Sequence, residues 1–138
     1  MAEGFRIEVR NHRDAIAPAM EAAEAWLDER QVAPKVAYFV ALAIEEIVTN
    51  CIHYGYDDDR EHTIVITLHV QDGTLAVGIV DDGRPFDPLA APEPDLSIKV
   101  QDRTVGGLGI HLLRNLADRI SYERLDGTNR ILLEKKLE

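Results

Sequence analysis

Two polar side chains in apolar surroundings are the first candidates for chemistry in this sequence. Glu46 and Asn50 lie four residues apart within the mostly apolar stretch 41–56. On a helix this spacing places a carboxylate and a carboxamide about one turn apart on the same face. Such groups are costly to bury without polar partners, and a hydrated metal ion with a phosphate is a candidate partner that would use both.

A third polar candidate, Asp81, ends a predicted strand. In the stretch 74–81 the apolar residues Leu75, Val77 and Ile79 alternate with other residues, and Asp81 continues their series. Because alternate residues of a strand share one face, Asp81 should point toward the side that its apolar neighbours bury. An acid on the core side at the end of a strand is a candidate ligand contact.

Glycines lead into a predicted helix later in the chain. Gly106, Gly107 and Gly109 stand at its start, where main-chain N–H groups can meet an anion. The apolar residues that follow at helical spacing are predicted to belong to the core, and they are Leu108, Leu112, Leu116 and Ile120.

The remaining elements follow from the periodicity of apolar residues. Alternation predicts strands at about 5–9, 63–70, 74–81, 120–125 and 130–137, and the first of them is expected at an edge or an interface. Helical spacing predicts helices at about 14–31, with Asp14 as its N-cap, and at 34–54. Turns are predicted at 71–73 and 126–129. The proline-containing stretch at about 87–106 is predicted to be a lid.

Length and composition predict one globular domain over residues 1–138. The chain is 46% apolar and 29% charged, and no stretch is expected to be long or apolar enough to span a membrane. The first eleven residues lack the features of a secretion signal, and the single Cys51 cannot form an intrachain disulfide, so we expect a cytoplasmic protein. The net charge of −10 argues against general nucleic-acid binding and leaves room for protein partners with basic patches.

Three motifs in order along the chain carry a resemblance to a known family. They are Glu46-x-x-x-Asn50 on a helix, Asp81-x-Gly83-x-Pro85-Phe86-Asp87 after a strand, and Gly107-Leu108-Gly109 before a helix. Together they resemble the GHKL (Bergerat) ATP-binding fold, and within it the short bacterial anti-sigma-factor serine/threonine kinases of the RsbW and SpoIIAB type. The implied fold is an α+β two-layer sandwich, a mixed, largely antiparallel sheet with helices on one face and ATP between the layers.

The resemblance also implies roles for individual residues. Glu46 would be the general base that takes a proton from the attacking hydroxyl, and Asn50 would coordinate the Mg2+ that bridges the ATP phosphates. Asp81 would accept a hydrogen bond from the adenine amino group. The other implied nucleotide-binding residues are Gly83, Phe86, Arg103, Gly107, Leu108, Gly109 and Thr128.

The function that the resemblance implies is phosphorylation of a STAS-domain anti-anti-sigma protein, with sequestration of a sigma factor when that protein is phosphorylated. A homodimer through the first strand and first helix is implied by the same analogy. The alternative is a non-catalytic switch that binds partners according to its nucleotide. Relatives often carry a His-Gly pair after the asparagine, whereas this chain has Tyr54-Gly55 with His53 before it, and either ring could lie near the nucleotide.

Each motif taken alone has an ordinary structural interpretation. Adjacent glutamates such as Glu45 and Glu46 are most often surface acids, and an Asp-Asp-Gly sequence is most often a turn. The combination of motifs favours the functional interpretation for Glu46, whereas Glu45 is expected to remain a solvated or structural acid. Cys51 is expected to be a small buried side chain and not a nucleophile.

Overall fold

The structure is a computed structural model that describes residues 3–87 and 107–138. The predicted lid therefore lies almost wholly outside the described residues, together with Arg103. The elements are β1 (Glu3–Arg10), α1 (Ile16–Glu29), α2 (Pro34–Tyr54), β2 (Thr63–Gln71), β3 (Thr74–Asp81), α3 (Gly107–Leu116), β4 (Arg119–Leu125) and β5 (Thr128–Lys136).

The strands form one five-stranded sheet in the order β1-β2-β3-β5-β4. Every pairing among the described strands is antiparallel, which agrees with the largely antiparallel sheet that was predicted. The predicted edge position of β1 is confirmed. On β2 and β3, alternate residues are buried, as their apolar pattern predicts. The helices cover the face to which these buried residues point, which confirms the α+β two-layer architecture.

Two hairpins share the same two-residue turn. Asp72 and Gly73 join β2 to β3, and Asp126 and Gly127 join β4 to β5, and all four residues have positive φ. Turns of this kind match the twist of the flanking strands, and Asp-Gly suits them because both residues tolerate that backbone conformation. The predicted four-residue turn 126–129 was therefore too long, and its last two residues begin β5.

The helix α2 lies at the centre of the helical layer, in contact with α1, α3, β3 and β5. Its buried residues recur at helical spacing, and they are Val36, Phe39, Val40, Ala43, Ile44, Ile47, Val48, Asn50 and Cys51. By length and composition alone α2 could cross a membrane, so the prediction that no stretch could do so was wrong. In the fold its apolar face packs against the sheet and the other helices, which accounts for its hydropathy.

Two predicted details of the other helices were wrong. Asp14 lies in a short 3₁₀ helix, Arg13–Ala15, and α1 begins after Ala15 without a side-chain cap, because the first turn is continuous with the 3₁₀ helix. In α3 the buried residues are Ile110 and Leu113, and Leu116 packs against the core as predicted, whereas Leu112 is 38% exposed. The helix ends at Leu116, so Ile120 belongs to β4.

Candidate functional site

The helix α2 presents Glu46 and Asn50 on the flank of its buried face. Asn50 is 3% exposed, Glu46 is partly buried and Glu45 is exposed, as the sequence predicts for the two glutamates. Burial, with a contribution from the charge of Glu45, raises the pKa of the Glu46 carboxyl group above its ordinary value. A carboxylate with a raised pKa is suited to accept a proton near neutral pH.

The Asn50 carboxamide is one of two described side chains with a buried polar atom that lacks a hydrogen-bond partner, and the other is the Tyr56 hydroxyl. Within the described residues the Nδ2 atom of Asn50 has no hydrogen-bond partner, although the side chain is almost fully buried. Such an orphaned group costs free energy unless a ligand or water meets it. The arrangement points to a polar ligand at Asn50.

The first turn of α3 lies directly against Glu46. A Cβ atom placed on Gly109 would come within 1.9 Å of the Cδ atom of Glu46, so a side chain at this position would require Glu46 or the start of α3 to move. Glu46 and Gly109, 109 − 46 = 63 positions apart in sequence, are thus in contact. Because Gly109 belongs to the first turn of α3, the free N–H groups of a helix start lie beside Glu46.

The Asp81 carboxylate is buried, 6% exposed, and held by three hydrogen bonds. Its Oδ1 atom accepts from the Gly83 N–H at 2.8 Å and from the Asn129 Nδ2 at 3.0 Å. Its Oδ2 atom accepts from the Cys51 thiol at 3.1 Å. Burial and the nearby carboxylate raise the pKa of the Cys51 thiol well above its ordinary value, so the thiol stays protonated and can donate. The predicted core-side orientation of Asp81 and the burial of Cys51 are confirmed.

Gly83 joins the end of β3 to the end of α2. A Cβ atom on Gly83 would lie 2.6 Å from the carbonyl oxygen of Gly55 and 3.0 Å from Asp81 Oδ1. The same Gly55 carbonyl oxygen accepts a hydrogen bond from the Arg84 N–H at 2.7 Å. Only glycine allows the two backbones this close approach, which keeps the α2 and β3 motifs together.

A small cavity lies between α2 and the sheet, next to Asp81. It is lined by Ile47, Cys51, Ile79, Asp81, Phe86, Tyr122, Asn129 and Ile131. At its edge the Phe86 and Tyr54 rings are stacked, with centroids 6.4 Å apart. His53 contacts Arg13 instead. Of the two aromatic residues that the sequence left open, Tyr54 is the one in ring contact with a residue lining the cavity.

Thr128 and its neighbour Asn129 lie on opposite faces of β5. The Thr128 hydroxyl donates to the Leu125 carbonyl oxygen at 2.7 Å, within the β4–β5 hairpin. Asn129 pairs with Asp81 in the sheet and lines the cavity. Sequence analysis missed Asn129 because it assigned this residue to a turn, and the signal that could have found it is its alternation with the buried Ile131.

The structure places the remaining predicted residues only in part. Gly107 and Leu108 form the start of α3, and nothing further is described of their surroundings, whereas Arg103 lies outside the described residues. The described candidates therefore fall into two contacting groups. Glu46 and Gly109 form one group, and Asp81, Gly83 and Phe86 form the other with Asn129. Asn50 lies on α2 one helical turn after Glu46, and its neighbour Cys51 donates a hydrogen bond to Asp81.

The residues present fit a nucleotide with a magnesium ion. Among the described residues the Asn50 Nδ2 donor lacks a partner, which a phosphate oxygen could supply, and a Cβ atom would fill the spaces at Gly83 and Gly109. The Asn50 Oδ1 atom is of the kind that ligates Mg2+. In the described part of the chain, no cluster of three or more His, Cys, Asp or Glu residues could hold a metal. A magnesium ion at Asn50 would therefore take most of its ligands from phosphate oxygens and water, as Mg2+ commonly does.

Comparison with known proteins identifies relatives over most of the chain. Residues 9–135 match the family described as a histidine kinase-like ATPase domain. Serine/threonine-protein kinase BtrW of Bordetella bronchiseptica is 27% identical over 99 residues, which cover 72% of this chain and 70% of BtrW. Serine-protein kinase RsbW of Halalkalibacterium halodurans is 28% identical over 92 residues, which cover 64% of this chain and 56% of that protein. An anti-sigma F factor of Clostridium botulinum is 27% identical over 99 residues, covering 70% and 68%.

A solved structure has the same fold. It contains the RsbU and RsbW domains of a Mycobacterium tuberculosis protein, and it matches with a TM-score of 0.71 and 17% sequence identity. The match covers 97% of this chain and 32% of that one. At this identity the likeness concerns the fold alone.

Proposed function

The chain belongs to the histidine kinase-like ATPase domain family, and we propose that it is an ATP-dependent serine/threonine protein kinase of the anti-sigma-factor type. Its substrate is proposed to be a STAS-domain anti-anti-sigma protein, and its second partner a sigma factor that it sequesters when that substrate is phosphorylated. The observation that carries the proposal is the buried Asn50 side chain one helical turn from Glu46, whose Nδ2 donor has no hydrogen-bond partner among the described residues. The names of the related kinases and anti-sigma factors support the same role.

The residues of the site divide the work between binding and proton transfer. Asp81 would accept a hydrogen bond from the adenine amino group, and Asn50 would hold the magnesium ion through its Oδ1 atom. The N–H groups at the start of α3 would bind phosphate oxygens, as free donors at a helix start do. ATP would supply the terminal phosphoryl group, and Mg2+ would neutralise charge on the phosphates.

Glu46 is proposed to be the catalytic base. It takes the proton of the substrate serine or threonine hydroxyl as that oxygen bonds to the terminal phosphorus and the bond to the leaving ADP breaks. The raised pKa of its carboxyl group increases its affinity for that proton. Gly109 leaves room for the carboxylate beside the helix start.

The proposal is tested first by nucleotide binding. Calorimetric titration with ADP or ATP, with and without Mg2+, is run on the native chain, Asp81→Asn and Asn50→Ala. We expect both variants to lose affinity, and the loss in Asn50→Ala to depend on Mg2+. A folded native chain that binds neither nucleotide would contradict the proposal.

Catalysis is tested separately with Glu46→Gln. This variant should bind ATP and fail to phosphorylate the partner, whereas Glu45→Gln, which changes the exposed neighbouring acid, is the matched control and should remain active. If Glu46→Gln binds ATP and still controls its partner, the protein is the alternative, a non-catalytic nucleotide-dependent switch. Unchanged phosphotransfer in Glu46→Gln would remove Glu46 from the mechanism.

The cellular setting and oligomeric state are part of the same proposal. A cytoplasmic location follows from a role in transcription control, and the net charge of −10 favours protein partners with basic patches. The edge strand β1 and helix α1 are the proposed homodimer surfaces. Light scattering with and without nucleotide tests the dimer, and a monomeric mass in both conditions would contradict it.

A further inference from the structure

Asn129 uses its whole hydrogen-bonding capacity inside the protein. Its Nδ2 atom donates to Asp81 Oδ1 at 3.0 Å and to the Arg84 carbonyl oxygen at 2.7 Å. Its Oδ1 atom accepts from the Phe86 N–H at 3.2 Å and from the Tyr122 hydroxyl. Turning the amide over would set donors against donors and acceptors against acceptors, so the network fixes its orientation.

This network limits what Asp81 can offer to a ligand. A carboxylate oxygen accepts about two hydrogen bonds, and both positions on Asp81 Oδ1 are taken, by Gly83 N–H and Asn129 Nδ2. Asp81 Oδ2 accepts only from the Cys51 thiol among the described residues. Within the described part of the chain, one acceptor position therefore remains, and it lies on Oδ2.

A single free acceptor position on Asp81 suits the base edge of adenine and not that of guanine. Adenine presents a single donor, its amino group, next to a ring nitrogen that only accepts. Guanine presents two adjacent donors, a ring N–H and an amino group, which pair well only with a carboxylate that has both oxygens free. A carboxylate with one occupied oxygen thus favours adenine and loses most of the paired contact with guanine.

Resting on the proposed nucleotide site, we propose that Asn129 is a specificity-determining residue that occupies one oxygen of Asp81 and thereby selects adenine over guanine nucleotides. Asn129 acts through Asp81 and is a positioning residue. It also ties the base site to the loop after β3, because the same amide holds the backbone at Arg84 and Phe86.

The test is the ratio of the dissociation constants for GDP and ADP, measured by calorimetry with Mg2+. Both nucleotides carry the same phosphates, so phosphate and metal contacts cancel in the ratio. We expect Asn129→Ala to lower the ratio by about tenfold or more, the effect of one hydrogen bond to a charged group. Asn129→Thr keeps a hydroxyl donor and suits a strand, so it should lower the ratio less. Leu132→Ala, on the opposite face of β5, is the matched control and should leave the ratio unchanged.

The same substitution made in the Asp81→Asn variant distinguishes positioning of Asp81 by Asn129 from a general loss of structure. In Asp81→Asn, the substitution Asn129→Ala should no longer change the ratio, because the carboxylate through which Asn129 acts is absent. If the ratio in Asn129→Ala stays within about twofold of the native ratio, the inference is overturned. ADP binding by the native chain would still support the proposed function in that case. An equal drop in the native and Asp81→Asn backgrounds would also overturn the inference. A native chain that binds no ADP would overturn the inference and the proposed function together.

Discussion

The contact between Gly109 and Glu46 predicts a strong coupling between two substitutions. In Gly109→Ala the new Cβ atom would lie 1.9 Å from Cδ, 2.1 Å from Oε2 and 2.4 Å from Cγ of Glu46. Ordinary contacts of this kind begin at 3.4 Å, so the separation from Cδ must grow by 3.4 − 1.9 = 1.5 Å. Glu46 must change rotamer, or the start of α3 must move away from α2.

The expected magnitude follows from two opposing effects. Alanine stabilises a helix by up to about 1 kcal/mol relative to glycine. Overpacking costs about 1–3 kcal/mol. Gly109→Ala should therefore be neutral or destabilising in the native background. In Glu46→Ala all three contacted atoms are gone, so the same substitution should be neutral or stabilising, and the coupling free energy should be about 1–3 kcal/mol.

Urea unfolding of the native chain, the two single variants and the double variant measures this coupling. The single Trp26, which is in ring contact with Phe5, provides a fluorescence signal. Additivity within about 0.5 kcal/mol would refute the reasoning. The functional consequence is separate, since a displacement of this size should slow phosphotransfer roughly 100-fold even when ATP still binds.

Three further predictions concern pH and backbone packing. Because the folded pKa of Glu46 lies above its unfolded value of 4.5, folding stability should fall as the pH rises from about 4.5 through the folded pKa. Urea titrations of Glu46→Gln should show no such loss. A pH profile of stability unchanged from native would contradict this prediction. The Nε2 atom of His62 lies 2.8 Å from Asp58 Oδ1, and hydrogen bonds with Asp58 and Asp82 raise the pKa of the imidazole. The stabilising effect of protonated His62 should be complete below the unfolded pKa of 6.5 and be lost as the pH rises through the folded pKa. The urea midpoints of native protein and His62→Gln should therefore converge at high pH. A constant difference would count against the pairing. Gly83→Ala should destabilise the fold by about 1–3 kcal/mol because its Cβ atom would meet backbone only 2.6 Å away. Gly4→Ala, whose Cβ atom would have its nearest contact at 3.7 Å, is the matched control. Equal urea midpoints for the two variants would show that the approach at Gly83 is not tight.

Local pattern was sufficient to predict most of the fold. The alternation of apolar residues in β2 and β3 and the helical spacing in α2 fix which face is buried, because each element buries one face against the same core. The same reasoning placed Asp81 on the core side. It failed at Asp14 and Leu112, where the outcome depends on the 3₁₀ turn before α1 and on the rotation of α3 against α2, neither of which a local pattern contains.

The site could be predicted only where its residues lie within local motifs. Glu46 and Asn50 share a helix face, and Gly83 follows Asp81 directly, so spacing alone brings each pair together. Asn129 reaches Asp81 only because β5 pairs with β3 across 48 residues of chain, and the register of that pairing is not encoded locally. Sequence reasoning therefore identified the groups that are proposed to contact a nucleotide and missed Asn129, which donates a hydrogen bond to one of them.

The buried polar groups link the stability of the chain to its proposed ligand. The Asn50 Nδ2 atom is buried without a partner in the described part of the chain, and a group in this state costs about 1–3 kcal/mol. An apolar residue of similar size would avoid this cost, so folding alone gives no reason for asparagine on the buried face of α2. Asp81, in contrast, is held by three hydrogen bonds and is prepared before any ligand arrives. The base end of the site is thus preorganised, whereas the Asn50 end gains its hydrogen-bond partner only on binding, and that is the end where nucleotide binding should add most to the stability of the fold.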